Sequence, residues 1–391
     1  MISPVMPTYA RTAHAFVKGE GAWLVDETGR RHLDFGAGIA VNCLGHAHPK
    51  LVAALTEQAG QLWHTSNLYR VPNQEKLARL LADNTFADTA FFTNSGAEAM
   101  ELCIKLSRKF QSHEGHPEKT EIVTFEGCFH GRTIATISAS GAPKMVDGFG
   151  PMLEGFVQVP YGDINALRAV VTDRTAAVMV EPVQGEGGIV PAPPGFLAAI
   201  REICDEAGAL MVCDEIQCGV GRTGKLFAHE WSGVTPDVMG VAKGIGGGFP
   251  IGACLATERA AAGMVAGTHG STYGGNPLGS AVACAVLEEV LSEGFLDHVR
   301  RTASALNQKL GALIDAHPDM LESARGEGLM MGIKCKTPNM DLVKACYEQD
   351  LLTVPAGDNV VRILPPLNVT EEEIDLAIAK IDAACAALEA A

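Results

Sequence analysis

Between residues 90 and 256 the chain alternates short, continuous apolar runs with stretches of helical period. "TAFFTNSG" reads as a strand entering a turn, and "AEAMELCIKLSRKF" as the helix after it. "EIVTFEG" and "AAVMVEP" are further strands, "GFLAAIREICDEAG" is a helix closed by Gly208, and "ALMVCDE", "DVMGVAKG" and "IGACLAT" are strands again. Alternation of this kind predicts an α/β fold around a mostly parallel sheet. Its ligands are expected at the carboxyl ends of the strands.

The two ends of the chain read differently. "GAWLVDETGRRHLDFGAGIAVNCLGH" gives a strand, a turn at Gly29, a second strand and a glycine-rich loop. After Pro277 a long helical region reaches about His317, and "SARGEGLMMGIKC", "LLTVPA" and "NVVRILPPL" follow as short strands. The expectation is a second, smaller α+β domain. Residues 1–55 join it from the N-terminus, residues 56–280 form the large domain, and residues 281–391 complete the small one.

Composition removes several function classes. A net charge of −16 argues against nucleic acid. No uninterrupted apolar run approaches the ~18 residues of a membrane helix. The N-terminus lacks the apolar core of a secretory signal. The eleven cysteines are an odd number with no C-x-x-C pair, so buried, reduced thiols in a cytoplasmic protein are expected, without a disulfide framework or a metal site.

The stretch "CDEIQCGVGRTGKL" carries Gly219, Gly221 and Gly224 as G-x-G-x-x-G, and Gly219, Gly224 and Lys225 as G-x-x-x-x-G-K. Both patterns can mark a phosphate-cradling loop, but each lacks its context. Four residues separate Asp214 from Gly219, Leu226 stands where a magnesium-binding Ser or Thr belongs, and only a short helix can follow. The better clue lies beside the loop. Asp214 and Glu215 end one apolar strand, where a lone acid can also cap a turn. Lys243 ends the next, before "GIGGGFPIG". A lysine there is either a solvated surface group or one whose pKa is lowered for Schiff-base chemistry.

"DEIQCGVGRTGKLFAHE" followed by "AKGIGGGFPIGA" resembles the core of the pyridoxal-phosphate-dependent aminotransferases of class III. "TNSGAEAMELCIKLSR", "CFHGRT", "EPVQGEGG" and "HGSTYGGNPL" fit in order, so the resemblance covers nearly the whole chain. "VNCLGHAHP", "WHTSNLY" and "RILPPLNV" are most similar to the acetylornithine branch. The resemblance implies the aminotransferase fold (fold type I), pyridoxal 5'-phosphate as cofactor, and a homodimer with shared active sites. Lys243 would hold the cofactor and move the proton, and Asp214 would keep the pyridine nitrogen protonated. Ser95, Gly96 and Ala97 would bind the phosphate at a helix start, although Ser95 alone reads as an ordinary cap. Phe129, otherwise a core aromatic, would stack on the ring, and Gln217 would lie near its phenolic oxygen. Thr272, by itself a loop threonine, would reach the phosphate of the neighbouring subunit.

For substrates, the resemblance implies that Arg132 clamps a carboxylate. Arg362 would be a second carboxylate site masked by Glu186, unless the two form a permanent ion pair. The implied reaction moves the terminal amine of N-acetylornithine to 2-oxoglutarate. Succinylornithine, succinyl-diaminopimelate, ornithine and 4-aminobutyrate are the alternative donors. A nucleotide-binding enzyme using residues 219–225 and a non-catalytic binding protein are the readings from other classes.

Overall fold

The computed structural model describes residues 4–390. At its centre lies a seven-stranded sheet in the order Phe156–Val159, Glu121–Phe125, Thr175–Val180, Leu210–Asp214, Val238–Val241, Gly252–Ala256, Thr89–Thr93. Thr175–Val180 and Leu210–Asp214 are buried at every residue, which is why both read as continuous apolar runs. The strand period of two divides them between two cores. Leu210 and Val212 pack with Met100, Cys103 and Phe110 of the helix Gly96–His113. Met211 and Cys213 pack with Ile200, Ile203 and Cys204 of the helix Phe196–Ala207. That second helix ends at Gly208, whose φ of 62° suits glycine.

The sheet is mostly parallel, as expected, with one exception. Gly252–Ala256 runs antiparallel to both neighbours. Because it starts where Thr89–Thr93 ends, the turn after Thr93, the end of Leu210–Asp214 and the end of Val238–Val241 share one edge of the sheet. Gly252 makes that junction possible. A Cβ there would lie 2.6 Å from the Ser95 carbonyl oxygen and 2.7 Å from Thr93 Oγ1.

The two ends of the chain pair with each other. Arg31–Asp34 pairs in parallel with Leu351–Leu352, so an N-terminal meander and a C-terminal strand form one four-stranded sheet. Leu321–Glu327, Met330–Cys335, Val360–Ile363 and Val354–Ala356 form another. The meander has an additional strand, Phe16–Glu20, which its mixed and exposed residues concealed. The region after Pro277 is two helices, Pro277–Val290 and Phe295–Ala316, separated at Gly294 with φ 80°.

The glycine-rich loop is buried from Gln217 to Gly224. Arg222 donates from Nη1 to the carbonyls of Leu329 (3.1 Å) and Pro365 (2.5 Å), and its own carbonyl accepts from Leu329 N. The loop therefore ties the central sheet to the C-terminal segment, and it presents no open cradle to a nucleotide. Burial pulls the Arg222 pKa down to about 10. All eleven cysteines are buried free thiols. Among the described residues no helix is long and apolar enough to cross a membrane.

Candidate active site

A cavity of about 420 Å³ opens at the shared strand edge. Eight of the residues singled out in the sequence line it: Ser95, Gly96, Ala97, Phe129, Arg132, Asp214, Gln217 and Lys243. Each arrives for a local reason. Ser95 caps the helix Gly96–His113 by accepting from Glu98 N at 3.2 Å. Gly96 and Ala97 are the first two helical residues, whose N–H groups lie beyond the reach of intrahelical bonding. They point with the positive end of the helix dipole.

Asp214 uses both carboxylate oxygens. Oδ1 accepts from Ile216 N at 3.0 Å, the turn cap that a lone acid suggests. Oδ2 lies 2.7 Å from Nδ1 of the buried His130. His130 was missed in the sequence because 84 residues separate it from Asp214, although it stands inside "CFHGRT". Burial opposes its charge, but Cys128 and the Asp214 carboxylate outweigh that and raise its pKa. Its Nε2 is buried without a hydrogen-bond partner among the described residues. Glu181 also lines the cavity and was not foreseen. It accepts from Phe129 N at 3.0 Å and Gly185 N at 3.2 Å, and burial raises its pKa to about 7.

Lys243 sits two residues past its strand with φ 47°, a conformation that costs a non-glycine residue about 1–3 kcal/mol. Its pKa is lowered, first by burial; Glu186 opposes the shift and Arg362 adds to it. A neutral amine is thus more available there than on a solvated lysine.

Arg362 and Glu186 meet behind the cavity. Nη1 and Nη2 of Arg362 both face the Glu186 carboxylate, and Nη1 also donates to Gln217 Oε1 at 3.3 Å. The arginine side chain is 2% exposed and the glutamate 35%. A Cβ on Gly185 would lie 2.4 Å from Gln217 Cδ, so glycine is what lets the Glu186 loop close on Gln217. Arg132 is exposed at the cavity mouth, 5.5 Å from the Phe129 ring centroid. Thr272 does not line this cavity. It is exposed and borders a separate recess with Asn94, Glu98 and Tyr273.

The family model for Aminotransferase class-III matches residues 6–385. The chain is a class III aminotransferase. It is 63% identical over 389 residues to the acetylornithine aminotransferase of Rhodobacter capsulatus, covering 100% of this chain and 99% of that one. It is 58% identical to that of Mesorhizobium japonicum over 381 residues, covering 97% and 96%. The crystal structure of N-acetylornithine aminotransferase from Stenotrophomonas maltophilia superposes with a TM-score of 0.86 at 40% identity, covering 98% of each chain. Ornithine aminotransferase from Toxoplasma gondii gives 0.95 at 32%, covering 99% of this chain and 93% of that one.

This aminotransferase takes an amino donor and a keto acid, and its class works with pyridoxal 5'-phosphate. A structure of the Toxoplasma enzyme is described with that group at its active site. The donor set here suits it. A helix start offers N–H groups to a phosphate, a buried carboxylate can face a cationic ring nitrogen, Phe129 offers an aromatic face, and a lysine of lowered pKa stands on the same strand edge.

Proposed function

We propose that this enzyme transfers the terminal amine of N-acetylornithine to 2-oxoglutarate, giving N-acetylglutamate 5-semialdehyde and glutamate, a step of arginine biosynthesis. The observation that carries the reading is the Arg362–Glu186 pair beside a cavity that already has Arg132 at its mouth. The first substrate brings an amine with no carboxylate next to the reacting carbon. The second brings a carboxylate there. A cation neutralised for one and released for the other serves both, and Arg132 serves the distal carboxylate that both possess. The identity to relatives named acetylornithine aminotransferase supports the same choice.

The bound cofactor supplies the electron sink for breaking the substrate C–H bond. Asp214, its carboxylate fixed by His130 Nδ1, would keep a proton on the ring nitrogen. Lys243 Nζ would hold the cofactor and, when free, would serve as the base that moves the substrate proton. Gly96 and Ala97 would donate backbone N–H groups to the phosphate, beside Ser95. Phe129 would cover one face of the ring, and Gln217, which accepts from Arg362 Nη1, would lie near its phenolic oxygen.

The same reading makes the enzyme a homodimer with Thr272 serving the partner's phosphate. Leu68, Tyr69, Trp63 and Tyr273 are 88%, 68%, 66% and 59% exposed. Asn67 Nδ2 donates to the carbonyls of Ser271 and Gly274, which holds the Leu68–Tyr69 segment beside the loop of Tyr273. A patch of that kind suits burial against a second copy.

A donor panel tests the substrate: N-acetylornithine, succinylornithine, ornithine, succinyl-diaminopimelate and 4-aminobutyrate, each with 2-oxoglutarate. N-acetylornithine is expected to give the highest kcat/KM. A higher value for any other donor reassigns the substrate while leaving the reaction class intact.

A further inference from the structure

Three side chains outside the active site converge where the N-terminal meander meets the C-terminal segment. His14 precedes the strand Phe16–Glu20, Asp26 ends Trp23–Asp26, and His32 lies in Arg31–Asp34. Asp26 Oδ2 is 3.1 Å from His32 Nε2 and 3.7 Å from His14 Nδ1. The three residues can each aim one ligand atom so that all lie within 4.8 Å of one another. The two imidazole rings stand 5.2 Å apart at 62°. We propose that His14, Asp26 and His32 form a binding site for a divalent cation of the zinc type.

The spacing suits an ion as well as the hydrogen bond it allows between Asp26 Oδ2 and His32 Nε2. Zinc bonds of about 2.0–2.1 Å in a tetrahedron set ligand atoms about 3.3 Å apart, and the two measured separations bracket that value. The carboxylate is prepared for the task. Its Oδ1 accepts from Thr28 N, Thr28 Oγ1 and Arg30 N at 2.9, 2.6 and 3.0 Å, leaving Oδ2 to face the imidazoles.

The independent observation is on the far side of His32. This ring is fully buried, and its Nδ1 has no hydrogen-bond partner among the described residues. Asp350 Oδ1 faces that nitrogen at 3.6 Å. If Nε2 binds a cation it carries no proton, so the proton sits on Nδ1, directed at a carboxylate. That is the outer carboxylate that metal-bound histidines commonly keep. Asp350 is itself held by Arg30. His14 is 33% exposed, which leaves a fourth position open to water. Two nitrogens and one carboxylate oxygen suit zinc, nickel or copper, and not magnesium or calcium. The ion would pin residue 14 to the meander that pairs with Leu351–Leu352.

Metal-stripped holoenzyme, titrated with zinc chloride against a chromophoric chelator, tests the site. The wild type should take up one tightly held zinc per chain, and cobalt(II) in its place should give the visible bands of a four-coordinate site. His14 is exposed, so His14→Ala should fold and turn over normally, yet hold zinc at least about tenfold more weakly and lose the cobalt bands. Asp350→Asn, which keeps the shape of the side chain, should weaken binding about tenfold and leave the stoichiometry unchanged. Equal zinc affinity in wild type and His14→Ala, or a wild type that takes up no zinc, overturns the proposal.

Discussion

Glu186→Ala separates a switch from a structural ion pair. Arg362 would keep Pro355 O at 3.0 Å and Gln217 Oε1 at 3.3 Å, both neutral acceptors, while its Nε already lacks a partner. Breaking a fully enclosed pair costs about 3–5 kcal/mol, but Glu186 is 35% exposed, so water can reach part of the gap. A loss of about 1–2 kcal/mol follows, and a Tm lower by roughly 1–3 °C.

The catalytic effect has a sign as well as a size. The unmasked guanidinium should pair with the α-carboxylate of glutamate, and a charge-assisted bond is worth about 1.5–3 kcal/mol. The ratio of single-turnover rates, glutamate over N-acetylornithine, should therefore rise about 10- to 100-fold. The absorbance change of the cofactor follows each half-reaction separately. Equal losses for both donors, or a ratio moved toward N-acetylornithine, would refute the masking argument.

Asp214→Asn should retain cofactor but lose most turnover, because the ring nitrogen is no longer held protonated; near-normal kcat rules that role out. Thr272→Ala should weaken cofactor binding in an enzyme that sediments as a dimer, whereas a fully active monomer at assay concentration would contradict the shared site. His317 offers a pH test away from the site. Its ring faces Asp382 at 2.9 Å and Glu389 at 3.0 Å, and although burial opposes the shift, those carboxylates raise its pKa. A raised histidine pKa gives stability that is fully present below about pH 6.5 and lost as pH rises through the folded value. Hydrogen exchange in the last turns of Glu371–Glu389 should therefore quicken between neutral and alkaline pH beyond the intrinsic rate, and His317→Ala should remove that excess.

The sheet was legible because its inner strands are apolar on both faces, and that also exposed Asp214 and Lys243 as polar groups at strand ends. Direction was not legible. Gly252–Ala256 carries the same apolar pattern as the parallel strands of the sheet, and only its connection reverses it. Pairings across long separations were hidden too. His130 lies 84 residues from Asp214, and Asn67 lies 204 residues from Ser271. The loop at Gly219–Gly224 matched two motifs yet is buried, because a motif records spacing and not exposure. His14, Asp26 and His32 have no metal-ligand spacing; strand pairing brings Asp26 and His32 together.

The most direct test of the active-site account is where the cofactor attaches. Borohydride reduction of the holoenzyme, followed by digestion and mass mapping, should place the reduced cofactor on the peptide containing Lys243, and Lys243→Ala should fold, carry no label and not turn over. Label on any other lysine, or turnover by the variant, would contradict the account.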